Sequence, residues 1–268
     1  MRPPGSCIFA IVVLLIVPPA MAAAQSAPPA DRPFLFSIST ASEPSRRAAV
    51  FVDTGVGERS FDLVQGDRPE HRIGLQASFG RRLTLVARVG VSDGVAGVHA
   101  SQQGELLYGL VQAPARRASL AIGLGVRHEA EGVNVLLGRV AAGRSMGDWR
   151  LDGNALFEKP YAAMRDAVDL ITSLGVARRV TPSVHLGVEL IGEDLEGFWE
   201  ADEAEGGARV LVGPSIRVAP PTARWQVSLA GGPVIHATRS PGRSDAPRAL
   251  PDDGRDGYAV RCGVTYGF

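Results

Sequence analysis

The chain has 268 residues, and its 28 basic and 28 acidic residues give a formal net charge of +0. This balance argues against a nucleic-acid partner, because such proteins carry a basic surface. One of the two cysteines lies in the signal peptide inferred below, so Cys262 has no intrachain disulfide partner, and no Cys/His spacing suggests a metal site.

Residues 1–24 have the pattern of a secretory signal peptide. Arg2 supplies a positive charge, residues 8–17 form an apolar run, and residues 22–24 are three small alanines. We expect cleavage there and a mature chain that begins near Gln25. The apolar run is too short for a membrane helix, and no later run approaches the roughly 18 apolar residues that such a helix needs. A helical membrane protein is therefore excluded.

From residue 46 onward, apolar and polar side chains alternate within successive segments. Alternation with period two predicts β-strands, and a tilted strand of about ten residues is long enough to cross a bilayer. Ile73 and Leu75, for example, alternate with Arg72 and Gly74. The strands are predicted at residues 47–57, 71–80, 82–92, 101–112, 117–128, 134–145, 148–158, 167–178, 183–193, 207–218, 224–238 and 257–268. Segments 47–57 and 134–145 alternate less clearly.

The predicted connections between strands alternate between short and long. The short ones are residues 80–82, 113–116, 146–147, 179–182 and 219–223, and the long ones are 58–70, 93–100, 129–133, 159–166, 194–206 and 239–256. This alternation is typical of bacterial membrane barrels, which have short periplasmic turns and long external loops. It predicts an even number of strands, with both termini in the periplasm.

The chain ends on a strand with one apolar, aromatic face. Tyr266 and Phe268 lie on that face, and Arg261 and Gly263 lie on the other. The octet 261–268 resembles the C-terminal insertion signal of Gram-negative outer-membrane β-barrel proteins, with Gly263, Tyr266 and Phe268 at characteristic positions. A soluble all-β protein would also show alternating strands, but this octet and the signal peptide argue against it.

The resemblance implies an all-β fold, with a single antiparallel transmembrane barrel of about twelve strands over residues 46–268. It also implies location in the outer membrane. The expected partners are outer-membrane lipid, lipopolysaccharide and the assembly machinery, which would recognise the C-terminal strand.

Residues 25–45 lie between the signal peptide and the barrel. Residues 27–33 are rich in Ala and Pro, which is typical of a disordered segment. Residues 34–39 could form a short strand, but a thirteenth strand would break the even count. We therefore expect residues 25–45 to form a partly disordered periplasmic segment, with 34–39 in the periplasm or at the lower mouth of the barrel.

The inward faces of the predicted strands carry charges of both signs. They could form ion pairs that fill a narrow interior, or they could line a polar pore whose basic and acidic walls orient small solutes. A twelve-stranded ring is intermediate between filled eight-stranded barrels and open sixteen-stranded porins. The candidate lumen residues are Arg72, Arg88, Glu105, Arg127, Arg139, Arg150, Asp152, Glu158, Asp169, Glu189, Glu193, Arg209, Arg217 and Arg261.

The expected function is passive conduction of small polar solutes. The alternative is a closed barrel that acts structurally or through its external loops. A lipid-modifying enzyme is a distant third possibility: His99, Ser101 and Glu105 would share one strand face, but common residue types at close spacing often occur by chance. The acidic loop 194–206 could bind Ca²⁺, although its spacing matches no calcium-loop motif. No catalytic residue, cofactor or metal is predicted.

Overall fold

The computed structural model describes ten parts of the chain: residues 32–39, 47–57, 69–80, 82–94, 97–113, 118–129, 132–162, 168–195, 208–237 and 256–268. The predicted signal peptide lies outside these residues, as do most of the predicted loops 194–206 and 239–256. Across the described ranges, no helix is long and apolar enough to cross a membrane.

The described residues form one closed barrel of twelve antiparallel strands. Each strand pairs with its neighbours in the chain, and the first strand closes the ring against the last. The strands are β1 Arg47–Gly57, β2 Glu70–Phe79, β3 Leu83–Gly94, β4 Gly97–Ala113, β5 Ala118–His128, β6 Asn134–Met146, β7 Trp149–Pro160, β8 Asp169–Arg179, β9 Val184–Glu193, β10 Arg209–Val218, β11 Trp225–His236 and β12 Gly257–Gly267. The predicted fold class and number of strands are confirmed.

The outer face of the barrel is apolar. On β5, Leu124 is 70% exposed and Val126 is 63% exposed, whereas Arg127, which points into the lumen, is only 4% exposed. The inward position predicted for Arg127 is therefore observed, and Leu124 lies on the outer face. An apolar outer surface of this extent suits contact with lipid rather than water. It includes Val52, Ile73, Phe79, Leu106, Ile122, Leu136, Phe157, Leu174, Val188, Leu229 and Ile235.

The connections distinguish the two ends of the barrel. At one end, called the turn end here, the strands are joined by residues 80–82, 114–117, 147–148, 180–183 and 219–224. Gly80 and Gly147 adopt positive φ angles of 65° and 60° there, a left-handed conformation that favours glycine. At the opposite end, the loop end, the connections are residues 58–69, 95–96, 129–133, 161–168, 194–208 and 237–256.

One predicted loop is wrong. Residues 93–100 were expected to form a long connection, but β3 and β4 continue to pair there, with Ser92 opposite His99 and Gly94 opposite Gly97. Only residues 95–96 separate the two strands. The stretch was predicted as a loop because glycines and polar residues interrupt its apolar alternation. Strand pairing continues there because backbone hydrogen bonds do not depend on that alternation.

The closing strand β12 pairs with β1 on one side and β11 on the other. Val264 lies opposite Val52 of β1 and Val227 of β11. Tyr266 and Phe268 are exposed on the outer surface, with ring centroids 5.2 Å apart in an edge-to-face arrangement. Arg261 points inward, as expected, and is 2% exposed. The role of Gly263, Tyr266 and Phe268 as an insertion signal stays a prediction.

Leu124→Arg should lower the free energy of unfolding in lipid vesicles by about 2–4 kcal/mol, because Leu124 lies at the middle of β5 on the outer face. Met146→Arg is the matched control. Met146 is also exposed but ends β6 at the turn end, where the cost falls to about 0–1 kcal/mol. Denaturant titration of both variants measures the difference, and equal costs would contradict a bilayer around the barrel.

Candidate functional site in the barrel lumen

The candidate lumen residues all occupy inward-facing positions of their strands. Most are buried, including Arg72, Glu105, Arg127, Asp152, Glu158, Asp169, Glu189, Arg209 and Arg261. Arg88, Arg150 and Arg217 are partly buried. Their inward orientation is therefore observed, whereas their role in a pore stays a prediction.

Asp53 on β1 joins three arginines. Its Oδ1 accepts hydrogen bonds from Nε of Arg72 at 3.0 Å and from Nη1 of Arg261 at 2.5 Å, and its Oδ2 accepts one from Nη1 of Arg32 at 3.1 Å. Asp53 is 1% exposed, and a carboxylate so far from water needs such partners. Asp53 was not predicted as a lumen residue, because residues 48–52 before it are apolar on both faces of the strand.

Glu105 on β4 holds a second charged cluster. It accepts hydrogen bonds from Nε of Arg139 on β6 at 2.6 Å and from Nε2 of Gln103 at 2.5 Å, and Arg88 on β3 lies 3.5 Å away. Arg139 reaches Glu105 across β5, where Gly125 leaves room. A Cβ atom at Gly125 would collide with Glu105 and with the backbone of β4. The glycine therefore permits an ion pair between strands that are not neighbours.

Two more charged clusters lie toward the loop end. Arg127 on β5 donates to both carboxylate oxygens of Glu158 on β7 and also donates to Glu129 at 2.7 Å. Arg209 at the start of β10 donates to Glu193 at 3.0 Å and to Asp194 at 3.1 Å. Both clusters bridge different strands, so the charges brace the interior as well as lining it.

The buried charges are distributed unevenly around the ring. The acidic wall consists of buried carboxylates on β7, β8 and β9: Asp152, Glu158, Asp169, Glu189 and Glu193. Arg150, Arg127 and Arg209 pair with three of them. On the opposite side, the basic wall consists of the guanidinium groups of Arg72, Arg88 and Arg261 on β2, β3 and β12, and the carboxylates of Asp53, Glu70 and Glu105 lie among them. In the observed strand order, β2 lies opposite β8. The two walls therefore face each other across the lumen.

The lumen also contains apolar clusters that the sequence analysis did not predict. One comprises Ile191, Leu211, Val234 and Ala259. Another comprises Val135, Leu137 and Leu156. The residues next to them in sequence are also apolar and face outward. These stretches are therefore apolar on both faces, and an alternation of polar and apolar residues does not identify which side chains face the lumen.

Residues 32–39, called the inner segment here, lie inside the barrel. The segment starts near Gln226 and ends near Gln76 and Arg150, all close to the turn end, and its middle reaches Glu189 on β9. The expected position was in the periplasm or at the lower mouth of the barrel. The segment lies deeper because Phe34, Leu35 and Ile38 are buried against the lumen wall, at 1%, 4% and 8% exposure.

Four luminal side chains bind the main chain of the inner segment. Glu189 Oε2 accepts the N–H groups of Leu35 and Phe36 at 3.0 and 2.9 Å. Asn154 accepts the N–H of Ile38 at 3.3 Å and donates to its carbonyl at 3.1 Å. Two glutamine side chains donate to carbonyls at the two ends of the segment: Gln226 to Arg32 at 2.7 Å and Gln76 to Ser39 at 3.1 Å. Six main-chain groups of the segment thus find partners in the wall.

The wall is also shaped to fit the side chains of the segment. A Cβ atom at Gly175 on β8 would collide with the ring of Phe34, and one at Gly263 on β12 would lie 3.0 Å from Leu35 Cδ2. Ile38 packs with Val86, Leu107 and Ala141. The guanidinium carbon of Arg32 lies 4.0 Å from the ring centre of Phe51. Two glycine recesses and one apolar cluster therefore receive the apolar side chains.

The structure does not assemble the candidate catalytic set. The Ser101 hydroxyl donates to the His128 carbonyl at 3.0 Å, and the Glu105 carboxylate binds Arg139. Neither group is arranged around His99 as a base-activated nucleophile requires. Among the described residues, no group of three or more His, Cys, Asp or Glu side chains could hold a metal ion. Most of the acidic loop 194–206 lies outside the described residues.

Asp53→Asn should lower the free energy of unfolding by about 3–5 kcal/mol, because three buried guanidinium groups would lose their common carboxylate. Asp148→Asn is the control. Asp148 pairs with Arg179 at 2.7 Å, but both side chains are about half exposed, so about 0–1 kcal/mol is expected. Denaturant titration compares the two variants. Similar losses would contradict a structural role for the Asp53 cluster.

The fold resembles that of solved porins. The KdgM porin matches with a TM-score of 0.56 and 10% sequence identity, over 82% of this chain and 99% of that one. A KdgM porin in complex with disordered oligogalacturonate matches equally well. The NanC porin has a TM-score of 0.57 and 9% identity, over 81% of this chain and 98% of that one. No protein-family model and no curated protein sequence matches the chain.

Proposed function

We propose that the protein is an outer-membrane channel for small polar solutes. The observation that carries the proposal is the charged lumen of the barrel, in which carboxylates concentrated on β7, β8 and β9 face the arginines of β2, β3 and β12. Facing walls of opposite charge orient dipolar solutes across a narrow passage. The similarity in fold to the KdgM and NanC porins supports a channel, and one KdgM structure contains oligogalacturonate.

The apolar outer surface and the C-terminal strand support the outer membrane as the location. Lipid and lipopolysaccharide would contact that surface, and the assembly machinery would recognise Gly263, Tyr266 and Phe268 of the terminal strand. Because short turns face the periplasm in bacterial barrels, the turn end and both termini would lie on the periplasmic side of the membrane. Recovery of the folded protein in the soluble periplasmic fraction would contradict this location.

The second candidate is a barrel that conducts no solutes, because the inner segment and the bridging ion pairs occupy the lumen. Such a barrel would act through its external loops or as a structural element of the membrane. The two candidates differ in one measurable property, which is whether ions and solutes pass through the lumen.

In planar bilayers the protein should produce discrete conductance steps. Arg217→Glu should shift the reversal potential in a salt gradient toward cation selectivity, because Arg217 is an inward-facing, partly buried residue of β10. Arg144→Glu is the matched control, since Arg144 is an exposed residue on the outer face of β6, also near the turn end. A protein that produces no conductance steps would contradict the channel and favour the barrel that conducts no solutes. Equal shifts in both variants would contradict conduction through the lumen.

A further inference from the structure

The lumen holds the inner segment mainly through its main chain. Glu189, Asn154, Gln76 and Gln226 bind six main-chain groups: the N–H groups of Leu35, Phe36 and Ile38, and the carbonyls of Arg32, Ile38 and Ser39. Every peptide carries these groups, so the contacts depend little on the sequence of the segment. They do require a chain that bends as residues 35–37 do, because the N–H groups of Leu35 and Phe36 both point to Glu189.

Glu189 shows most clearly what kind of ligand the wall accepts. Glu189 is 2% exposed, and its hydrogen bonds among the described residues are those from the adjacent N–H groups of Leu35 and Phe36. A carboxylate buried at this level is costly without donors. When the inner segment leaves, water or another ligand with two adjacent N–H groups must replace it.

The recesses beside these polar groups select the side chains of the ligand. Gly175 makes room for Phe34, and Gly263 makes room for Leu35. The cluster of Val86, Leu107 and Ala141 accommodates Ile38. The lumen thus combines main-chain recognition with spaces for apolar side chains.

We propose that the lumen is a binding site for short peptides with a bent backbone and apolar side chains, which the inner segment occupies as an internal competitor. While the segment is bound, it narrows the passage; when it leaves, a peptide solute takes over its hydrogen bonds. The transport part of this proposal rests on the proposed channel function, whereas the binding part does not.

The test begins with the full chain, so that the barrel folds with its segment in place. A protease site inserted between Ser39 and Arg47 is cut after refolding in detergent, and the released piece is removed by dialysis. A fluorescent peptide with the sequence of residues 32–39 is then added. Fluorescence anisotropy should show saturable binding to the cut barrel. The uncut barrel should bind far less, because its tethered segment competes at an effective concentration on the order of 1 mM.

Two modified peptides test main-chain recognition. Methylation of the nitrogens at the positions of Leu35 and Phe36 removes both donors to Glu189 and should weaken binding by roughly tenfold or more. Methylation at Ser37 is the control, because its N–H bonds none of the four luminal side chains, and it should have a much smaller effect. Absence of saturable binding, or equal loss with both peptides, would overturn the peptide site.

Conductance of the same cut barrel separates this proposal from the channel function. Conductance steps that the 32–39 peptide blocks would support both. Binding to a cut barrel that conducts no ions would support the peptide site and contradict the channel. A cut barrel that conducts but does not bind the peptide would overturn the peptide site and leave the channel supported.

Discussion

The carboxylate of Asp53 accepts hydrogen bonds from arginines in three separate parts of the chain. Arg72 lies on the next strand, Arg261 lies across the seam where β12 closes the ring, and Arg32 belongs to the inner segment. An open seam would expose two unpaired strand edges, so barrel closure is a precondition for stability in lipid. Because one buried group contacts both the seam and the segment, closure of the barrel and filling of its lumen are energetically linked.

The rest of the interior follows the same requirement. A buried charge or amide must find a partner, and in a narrow ring the partner often lies on a distant strand or on the inner segment. Arg139 crosses β5 to reach Glu105, and Glu189 is satisfied by the main chain of residues 35–36. Polar groups that could have lined an open pore therefore hold the segment that fills it. This reconciles a porin-like fold with an occupied lumen.

The strands were predictable from the sequence because lipid demands an apolar outer face, which imposes period two on each strand. Leu124 and Arg127 follow that rule, and their orientation agrees with it. The lumen was only partly predictable. Leu137 and Leu211 are fully buried inside although they interrupt polar alternation, and Asp53 lies in an apolar stretch. The depth of the inner segment depends on recesses such as Gly175, which arise from glycines distant in sequence and carry no local pattern.

The central claim is that residues 32–39 reside in the lumen of the membrane-embedded protein. Replacing Leu35 with a short diazirine-bearing residue and irradiating intact outer membranes tests it directly. Peptide mass spectrometry should locate cross-links on β12 beside Gly263 and on β1 beside Asp53, since a Cβ atom on Gly263 would lie near both Leu35 and Asp53. Cross-links confined to lipid or to other proteins, with none on the barrel wall, would contradict the account.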